Sequence, residues 1–204
     1  MSESTSLLYR VMQERHSIRR FDGSLIPPEI LLRILKAATL APSAHNRQPW
    51  RFVILTSPEN KQSLAKALGC RLREDRLADG DNPGQVDSDV ARSVERISNA
   101  PAVIVACLSM EDMDTYPDKR RRKAEYTMAV QSVSMAAQNL LLAASTEGLG
   151  ACWLCAPLFA DETVHEALSL PADWESLGII IVGYPAEAGR ERPRRPLEEV
   201  TLWP

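Results

Sequence analysis

The chain has 204 residues, of which 45% are hydrophobic, and its formal net charge is -3. This length is enough for one domain with a sizeable core or for two small domains. The slightly acidic balance argues against a general nucleic-acid-binding protein, which needs a basic surface field, and no apolar run approaches the roughly 20 residues of a membrane helix.

The first segment, "MSESTSLLYRVMQER", is polar and acidic before it becomes helical. It lacks the basic start and the apolar stretch of a secretory signal peptide. We therefore expect a soluble cytoplasmic protein that binds neither nucleic acid nor a membrane.

Three helices and a strand are predicted in the first 70 residues. "TSLLYRVMQERHS" has four apolar residues at helical spacing. "PPEILLRILKAATLAPS" opens with proline in its first turn and stops before the next proline. "RFVILTS" is rich in β-branched residues and is typical of a strand. The third helix, "SPENKQSLAKALG", is predicted to have Ser57 as its N-cap and Gly69 at its end.

The middle of the chain changes character twice. Residues 70–100 are highly charged and contain Asp-Gly, Asn-Pro and Pro-Gly pairs, which predict a mobile excursion with a short helix, a candidate lid over a site. "APAVIVACLS" is almost wholly apolar, as expected of a buried central strand, and "DMDTYPDKRRR" follows as a charged loop. "KAEYTMAVQSVSMAAQNLLLAASTEG" predicts the longest helix, rich in small residues and buried either centrally or against a second subunit.

The last third alternates short elements. "GLGACWLCAPLF" is predicted as strand and loop, "ADETVHEALSL" as a helix capped by Asp161, and "SLGIIIVGYP" as an apolar strand. The extension 186–204 contains one β-like stretch, "EEVTLW", and we expect Leu202 and Trp203 to pack on a partner chain. Together these elements predict one α+β domain, with a sheet of four or five strands and helices on both sides.

The four cysteines do not form the disulfide framework of a small secreted protein at this length. The pair in "CWLC", Cys152 and Cys155, has no second pair and no spaced histidines, so a four-ligand zinc site lacks its other ligands. We expect small buried residues here, because free cysteine is among the most buried residue types.

The segment "ERHSIRRFDG" gathers cationic and polar side chains at a predicted helix end. Arg15, His16, Ser17 and Arg19 are donors that suit a phosphate group. A solvated charged face is the alternative, and this motif alone does not exclude it.

Three further segments are candidates for binding. In "APSAHNRQPWRF", the polar residues Ser43, His45, Asn46 and Gln48 stand between two prolines and suit recognition of hydroxyls and amide-like edges, although an ordinary turn is the simpler alternative. "GLGACWLC" allows close backbone approach but is not a dinucleotide fingerprint, because the third glycine is missing. "RERPRRPLEEV" contains Arg194 and Arg195, close to the end of the chain. With no nucleophile or Walker signature, these segments favour a protein that holds an anionic, polyhydroxylated, planar cofactor.

Five segments resemble those of the nitroreductase-like flavoprotein family, in the same order and spacing. They are "RHSIRRFDG", "APSAHNRQPWRFVIL", "AAQNLLLAASTEGLGACW", "GIIIVGYPAE" and "RPRRPLEEV". The resemblance covers about residues 8–200. It implies a single FMN-binding domain over residues 1–204 with a central mixed sheet, and a homodimer with FMN at the subunit interface. It also implies hydride transfer through the flavin N5, with no catalytic side chain and no metal.

The resemblance assigns residues to the cofactor segment by segment. The Arg-His-Ser-x-Arg segment looks like the family's phosphate and ribityl site, which implies roles for Arg15, His16, Ser17 and Arg19. The Pro-Ser-x-x-Asn-x-Gln-Pro-Trp segment looks like the loop that lies near the flavin, partly from the second subunit, which implies roles for Ser43, Asn46 and Gln48.

The C-terminal half supplies the remaining assignments. The backbone of Trp153, Leu154 and Cys155 is implied to cover one flavin face and to give an N–H to N5. Arg195 looks like the family's C-terminal phosphate arginine. Many relatives have a lysine two positions earlier, where this chain has Pro193, so Arg194 or Arg192 is the expected substitute.

Residues 116–185 are also similar to the C-terminal reductase domain of the two-domain enzyme of deazaflavin (coenzyme F-420) biosynthesis. This implies an FMN-dependent oxidoreductase that transfers hydride to a conjugated small-molecule acceptor, possibly the dehydro precursor of that coenzyme, with NADH or NADPH as a possible donor. The alternatives are a general NAD(P)H nitro or quinone reductase, an oxygen-dependent flavin-fragmenting relative, and a flavin-binding module without turnover.

Overall fold

The fold is that of a computed structural model, which describes residues 3–204. The helices are α1 (Glu3–Glu14), α2 (Pro28–Ala38), α3 (Pro58–Ala78), α4 (Pro83–Ser98), α5 (Lys119–Thr146), α6 (Asp161–Leu168) and α7 (Leu197–Val200). The strands are β1 (Trp50–Leu55), β2 (Ala102–Ser109), β3 (Gly150–Leu154) and β4 (Trp174–Gly183). Short 3₁₀ turns lie at Ala44–Asn46 and Ala156–Phe159.

The four strands form one sheet in the order β1-β2-β4-β3, and each neighbouring pair is antiparallel. This confirms the predicted α+β class and strand number. The sheet was expected to be mixed. Among the described residues, the parallel component is limited to an isolated bridge between Ser17 and Ala151 on the outer edge of β3.

Helices cover both faces of the sheet, as predicted. On one face, Ile34 of α2 and Leu140 of α5 pack against Ile104 and Ile180. On the other face, α3, α4 and α6 pack against the alternate strand residues, such as Val105, whose side chains point to that face. Strands β2 and β4 are therefore buried on both sides, which explains their continuous apolar runs. Burial of each large side chain contributes roughly 1.5–3 kcal/mol.

Helix α5 is the central helix that the sequence predicts. Its small residues Ala129, Ala136 and Ala144 are completely buried, so the helix axis comes close to the sheet. Although α5 has 28 residues, none of the helices in residues 3–204 is both long enough and apolar enough to cross a bilayer.

The charged stretch after residue 70 forms two helices, so the predicted mobile excursion was wrong. Helix α3 is capped by Ser57, as predicted, but continues through Gly69 to Ala78. Gly69 packs against α4, where an added Cβ would lie 2.7 Å from Cγ2 of Val94. The glycine therefore permits close helix contact and does not end the helix.

Three smaller predictions were also wrong. Asp161 begins α6 but does not cap it, because its Oδ1 accepts hydrogen bonds from the backbone N and Oγ of Ser176. The β-like stretch near the C-terminus contains the short helix α7 instead. Cys152 is buried as expected, whereas Cys155 is exposed.

Candidate functional site

The cationic segment near the N-terminus lies along the outer edge of β3. The backbone N–H of Ile18 donates to the carbonyl of Ala151 at 3.0 Å, and the Ile18 side chain is buried against Gly150. The side chains on either side of this anchor, Ser17 and Arg19, are exposed. One apolar residue therefore fixes the segment and leaves its polar neighbours, Ser17 and Arg19, exposed to a ligand.

A cleft of about 780 Å³ lies over this segment. Its lining includes two glutamates, Glu95 and Glu187, and eight arginines: Arg15, Arg19, Arg20, Arg92, Arg96, Arg190, Arg192 and Arg194. Among the side chains that the structure describes, those of residues 7–204, Arg15 and Arg19 form no salt bridge, and Arg20 pairs with Glu187 at 3.8 Å. Such an excess of unneutralised guanidinium groups favours an anionic ligand.

The edge of β3 beside this cleft also offers a backbone donor. Ala151 directs its carbonyl outward to Ile18, and alternate residues of a regular strand direct their backbone groups to the same side. The pairing of β3 with β4 is regular from Gly150 to Leu154. The N–H of Trp153 therefore points outward too, about 7 Å along the strand from Ala151.

The thiols around Trp153 face in different directions. The indole Nε1 of Trp153 donates to Sγ of the exposed Cys155 at 3.1 Å. Cys152 points into the core, where burial raises the pKa of its thiol, and the charges of Arg19 and Arg15 lower it in part. Both thiols are free cysteines.

The loop at residues 43–48 has an unusual backbone. His45, Asn46 and Gln48 have φ angles of 49°, 55° and 50°, a left-handed region that costs non-glycine residues on the order of 1–3 kcal/mol each. Inside the loop, the backbone N–H of Gln48 donates to Oγ of Ser43 at 3.0 Å. Strain of this kind is concentrated at functional sites.

Contacts from α5 and from the loop before it hold this strained loop in place. The hydroxyl of Ser132 accepts from the backbone N of Ala44 at 3.3 Å. Arg47 pairs with Asp114 at 2.6 Å. The backbone N–H of Asp114 in turn donates to Oε1 of the buried Glu125 at 3.1 Å.

Within one chain, the two predicted halves of the site are not brought together. The loop leads into β1, whereas the Arg15–Arg19 segment lies beyond β3, at the opposite edge of the sheet. Four strand spacings of about 4.8 Å lie between β1 and this segment, and the two groups are also about six residues apart along β2, so they are more than about 20 Å apart. The residues predicted to bind one cofactor therefore form two separate groups.

Of the three C-terminal arginines named from the sequence, two line the cleft and one does not. Arg192 and Arg194 line the cleft, and the guanidinium of Arg194 donates to the carbonyl of Arg192 at 2.9 Å. Arg195 is exposed and is not among the cleft residues. The role of Arg195 therefore stays a prediction.

Sequence reasoning also missed one wall of the cleft. Arg92, Arg96 and Asn99 of the α4 segment line it. Their i, i+4, i+7 spacing places them on one helix face, and that signal is present in "ARSVERISN". Because a mobile excursion was expected in this region, this helix face was not identified from the sequence.

Comparisons with known proteins point to one family. Residues 12–184 match the model described as the nitroreductase family. A protein called NADH dehydrogenase from Thermus thermophilus is 29% identical, covering 93% of this chain and 92% of that protein. The 5,6-dimethylbenzimidazole synthase of Rhodospirillum rubrum is 31% identical, covering 93% of this chain and 86% of that protein.

Solved structures share the fold. A Desulfovibrio desulfuricans protein assigned as a nitroreductase, solved in complex with FMN, is 27% identical with a TM-score of 0.74, over 97% of this chain and 96% of that one. The NADPH:FMN oxidoreductase of Vibrio harveyi, in complex with NAD+, is 22% identical with a TM-score of 0.72, over 96% of this chain and 76% of that one. At 22% identity, the second likeness shows the fold alone.

Proposed function

Because this chain belongs to the nitroreductase family, we propose that it is an FMN-dependent oxidoreductase that takes electrons from NADH or NADPH and passes them to a conjugated small molecule. The observation that carries this proposal is the pair of unneutralised arginines, Arg15 and Arg19, beside the open edge of β3. We propose that residues 1–204 form one FMN-binding domain. A cytoplasmic location stays a prediction from the sequence.

The residues along this edge fit FMN chemically. Arg15 and Arg19 offer charge-assisted hydrogen bonds to a phosphate dianion, and Ser17 and His16 offer donors to the ribityl hydroxyls. The outward N–H of Trp153 and the backbone of Leu154 and Cys155 offer donors to the flavin ring. The chemistry that FMN supplies when bound is hydride transfer at its N5 atom.

We further propose that the loop with Ser43, Asn46 and Gln48 completes the site from a second copy of the chain. A two-fold axis places each loop beside the partner's β3 edge, since an isologous contact is made twice. Exposed apolar side chains support such a homodimer. Tyr9 and Met12 are 55% and 48% exposed, and Trp203 near the C-terminus is 89% exposed.

This chain contributes binding and orientation rather than acid–base catalysis. The side chains at the β3 edge are arginine, serine and histidine, and the cleft glutamates Glu95 and Glu187 lie among arginines. We therefore propose that the acceptor takes its proton from water or from a polar side chain, and that acceptor choice depends on the partner's loop.

Several acceptors are consistent with the proposal. Nitro compounds and quinones are the general class, and the dehydro precursor of the deazaflavin coenzyme is a narrower candidate. A 5,6-dimethylbenzimidazole synthase is 31% identical to this chain, so the reaction of that enzyme should be assayed together with these acceptors.

The visible spectrum of the purified protein, before and after anaerobic NADH or NADPH, tests the proposal. We expect a two-band flavin spectrum that bleaches with a nicotinamide and returns when an acceptor is added. A flavin spectrum that no nicotinamide bleaches would favour another donor or a binding module without turnover. A colourless protein that cannot be loaded with FMN would refute the proposal.

A further inference from the structure

The cleft contains more positive charge than one flavin phosphate requires. Two arginines, Arg15 and Arg19, neutralise a phosphate dianion, yet six more arginines line the same 780 Å³ space. Of these six, Arg20 and Arg92 pair with carboxylates, and Arg192 and Arg194 are the candidates for the flavin phosphate, which leaves Arg96 and Arg190. A cleft of this size accommodates a complete small-molecule ligand, since such sites span about 300–1,000 Å³. The additional arginines therefore indicate a second anionic group.

Helix α4 presents the most defined part of this additional charge. Arg92, Arg96 and Asn99 line the cleft from one helix face. Arg92 also pairs with Asp89, whereas Arg96 forms no salt bridge within residues 3–204. The buried Ile97 anchors α4 on the sheet. The core, and not the C-terminal extension 186–204, therefore fixes the position of the stripe formed by Arg92, Arg96 and Asn99.

We propose that Arg92, Arg96 and Asn99 form a second phosphate subsite that binds the 2′-phosphate of NADPH, so that the protein prefers NADPH to NADH. This inference rests on the proposed function, because a nicotinamide donor has to share the cleft with FMN. The guanidinium groups match a phosphomonoester dianion in charge and geometry. Asn99 adds a neutral donor to the same stripe.

Glu95 also lines the cleft and opposes anion binding. It is one carboxylate among eight arginines, and Glu187, the other, lies near Arg20. The net field of the cleft therefore stays positive, and NADPH, with one more phosphate than NADH, gains more from it.

Isothermal titration calorimetry with two probes tests the subsite on the FMN-loaded protein, in which FMN occupies Arg15 and Arg19. Adenosine 2′,5′-bisphosphate and 5′-AMP differ only by the 2′-phosphate. We expect the bisphosphate to bind about tenfold more tightly, and Arg96→Gln to remove that difference. Lys66→Gln, which removes one charge from an exposed position of α3 outside the cleft, is expected to keep it.

The other outcomes overturn the inference. Equal binding of the two probes would exclude a 2′-phosphate subsite. Equal binding of the bisphosphate and inorganic phosphate would indicate a general phosphate site that serves the acceptor. Loss of FMN in Arg96→Gln would assign Arg96 to the flavin phosphate. Because the calorimetry uses the FMN-loaded protein and needs no turnover, its result is separable from a failure of the proposed reaction.

Discussion

The indole ring of Trp153 lies against the bare backbone of Gly178 on the neighbouring strand. A Cβ at residue 178 would lie 2.6 Å from Cη2 of the ring. Gly178 thus leaves room for the ring of Trp153, the residue whose backbone N–H points outward from β3. The packing of Trp153 therefore depends on the absence of a side chain at residue 178.

Gly178→Ala is therefore expected to displace Trp153 and to lower the free energy of unfolding by roughly 1–3 kcal/mol, as overpacking does. Urea unfolding monitored by tryptophan fluorescence measures this loss. In a Trp153→Phe background the smaller ring leaves room for the methyl group. Gly178→Ala should therefore lower the free energy of unfolding by less in that background. Equal costs in both backgrounds would show that the contact with the indole is not the cause.

Arg19→Ala should weaken FMN binding by roughly 10- to 100-fold, since charged hydrogen bonds contribute about 1.5–3 kcal/mol each. Quenching of flavin fluorescence during titration of the apoprotein gives the dissociation constant. Arg120→Ala removes an exposed arginine outside the cleft and serves as the matched control. Unchanged affinity in Arg19→Ala would remove Arg19 from the phosphate site.

Glu125→Ala should lower the free energy of unfolding by roughly 2–4 kcal/mol, because it leaves a cavity and removes the acceptor for the backbone N–H of Asp114. Glu125 is 1% exposed and accepts that bond at 3.1 Å. Glu125→Gln keeps an oxygen in place and should cost clearly less. Chemical denaturation of both variants tests this, and equal losses would contradict the role of the hydrogen bond.

Of the four thiols, two should react with a thiol reagent in the native protein and two should be protected. Burial raises the pKa of Cys107 to about 12 and also raises the pKa of Cys152, so neither forms thiolate near neutral pH. Ellman's reagent should modify only Cys70 and Cys155 in the native protein, and all four after unfolding. Bound FMN should slow the reaction of Cys155 with the reagent and leave the reaction rate of Cys70 unchanged. The same effect of FMN on both thiols would argue against FMN at the β3 edge.

The bidentate pair between Arg33 and Glu147 should make stability depend on pH. The guanidinium donates to both carboxylate oxygens at 2.8 and 2.7 Å, which lowers the pKa of Glu147 below its ordinary value of 4.5. A lowered carboxyl pKa stabilises the fold above pH 4.5, and this contribution is lost as the pH falls through the folded-state value.

The variant Arg33→Met tests the direction of this pH dependence of stability. Wild type should be more stable than Arg33→Met near neutral pH, and the difference should shrink as the pH falls below 4.5. Urea unfolding of both proteins over a pH series measures it. A difference that is constant down to pH 3 would show that the side chain acts through packing alone.

Much of the fold could be predicted from local patterns. Periodicity and capping located most helices, and the unbroken apolar runs identified β2 and β4 as central strands buried on both faces. The failures occurred where a distant residue decides the outcome. Gly69 is indistinguishable from a helix terminator in sequence, and only its contact with Val94 of α4 shows why α3 continues.

The candidate site divides in the same way. By itself, the sequence determined that cationic side chains gather at Arg15–Arg19, and it predicted an anion-binding segment there, because side-chain charge and the resemblance are both local properties. Only the tertiary structure decided that Arg96, 77 positions beyond Arg19, faces the same cleft, and that the loop with Asn46 does not. The reason is that sheet order and helix packing, which depend on contacts between distant residues, set which local motifs meet.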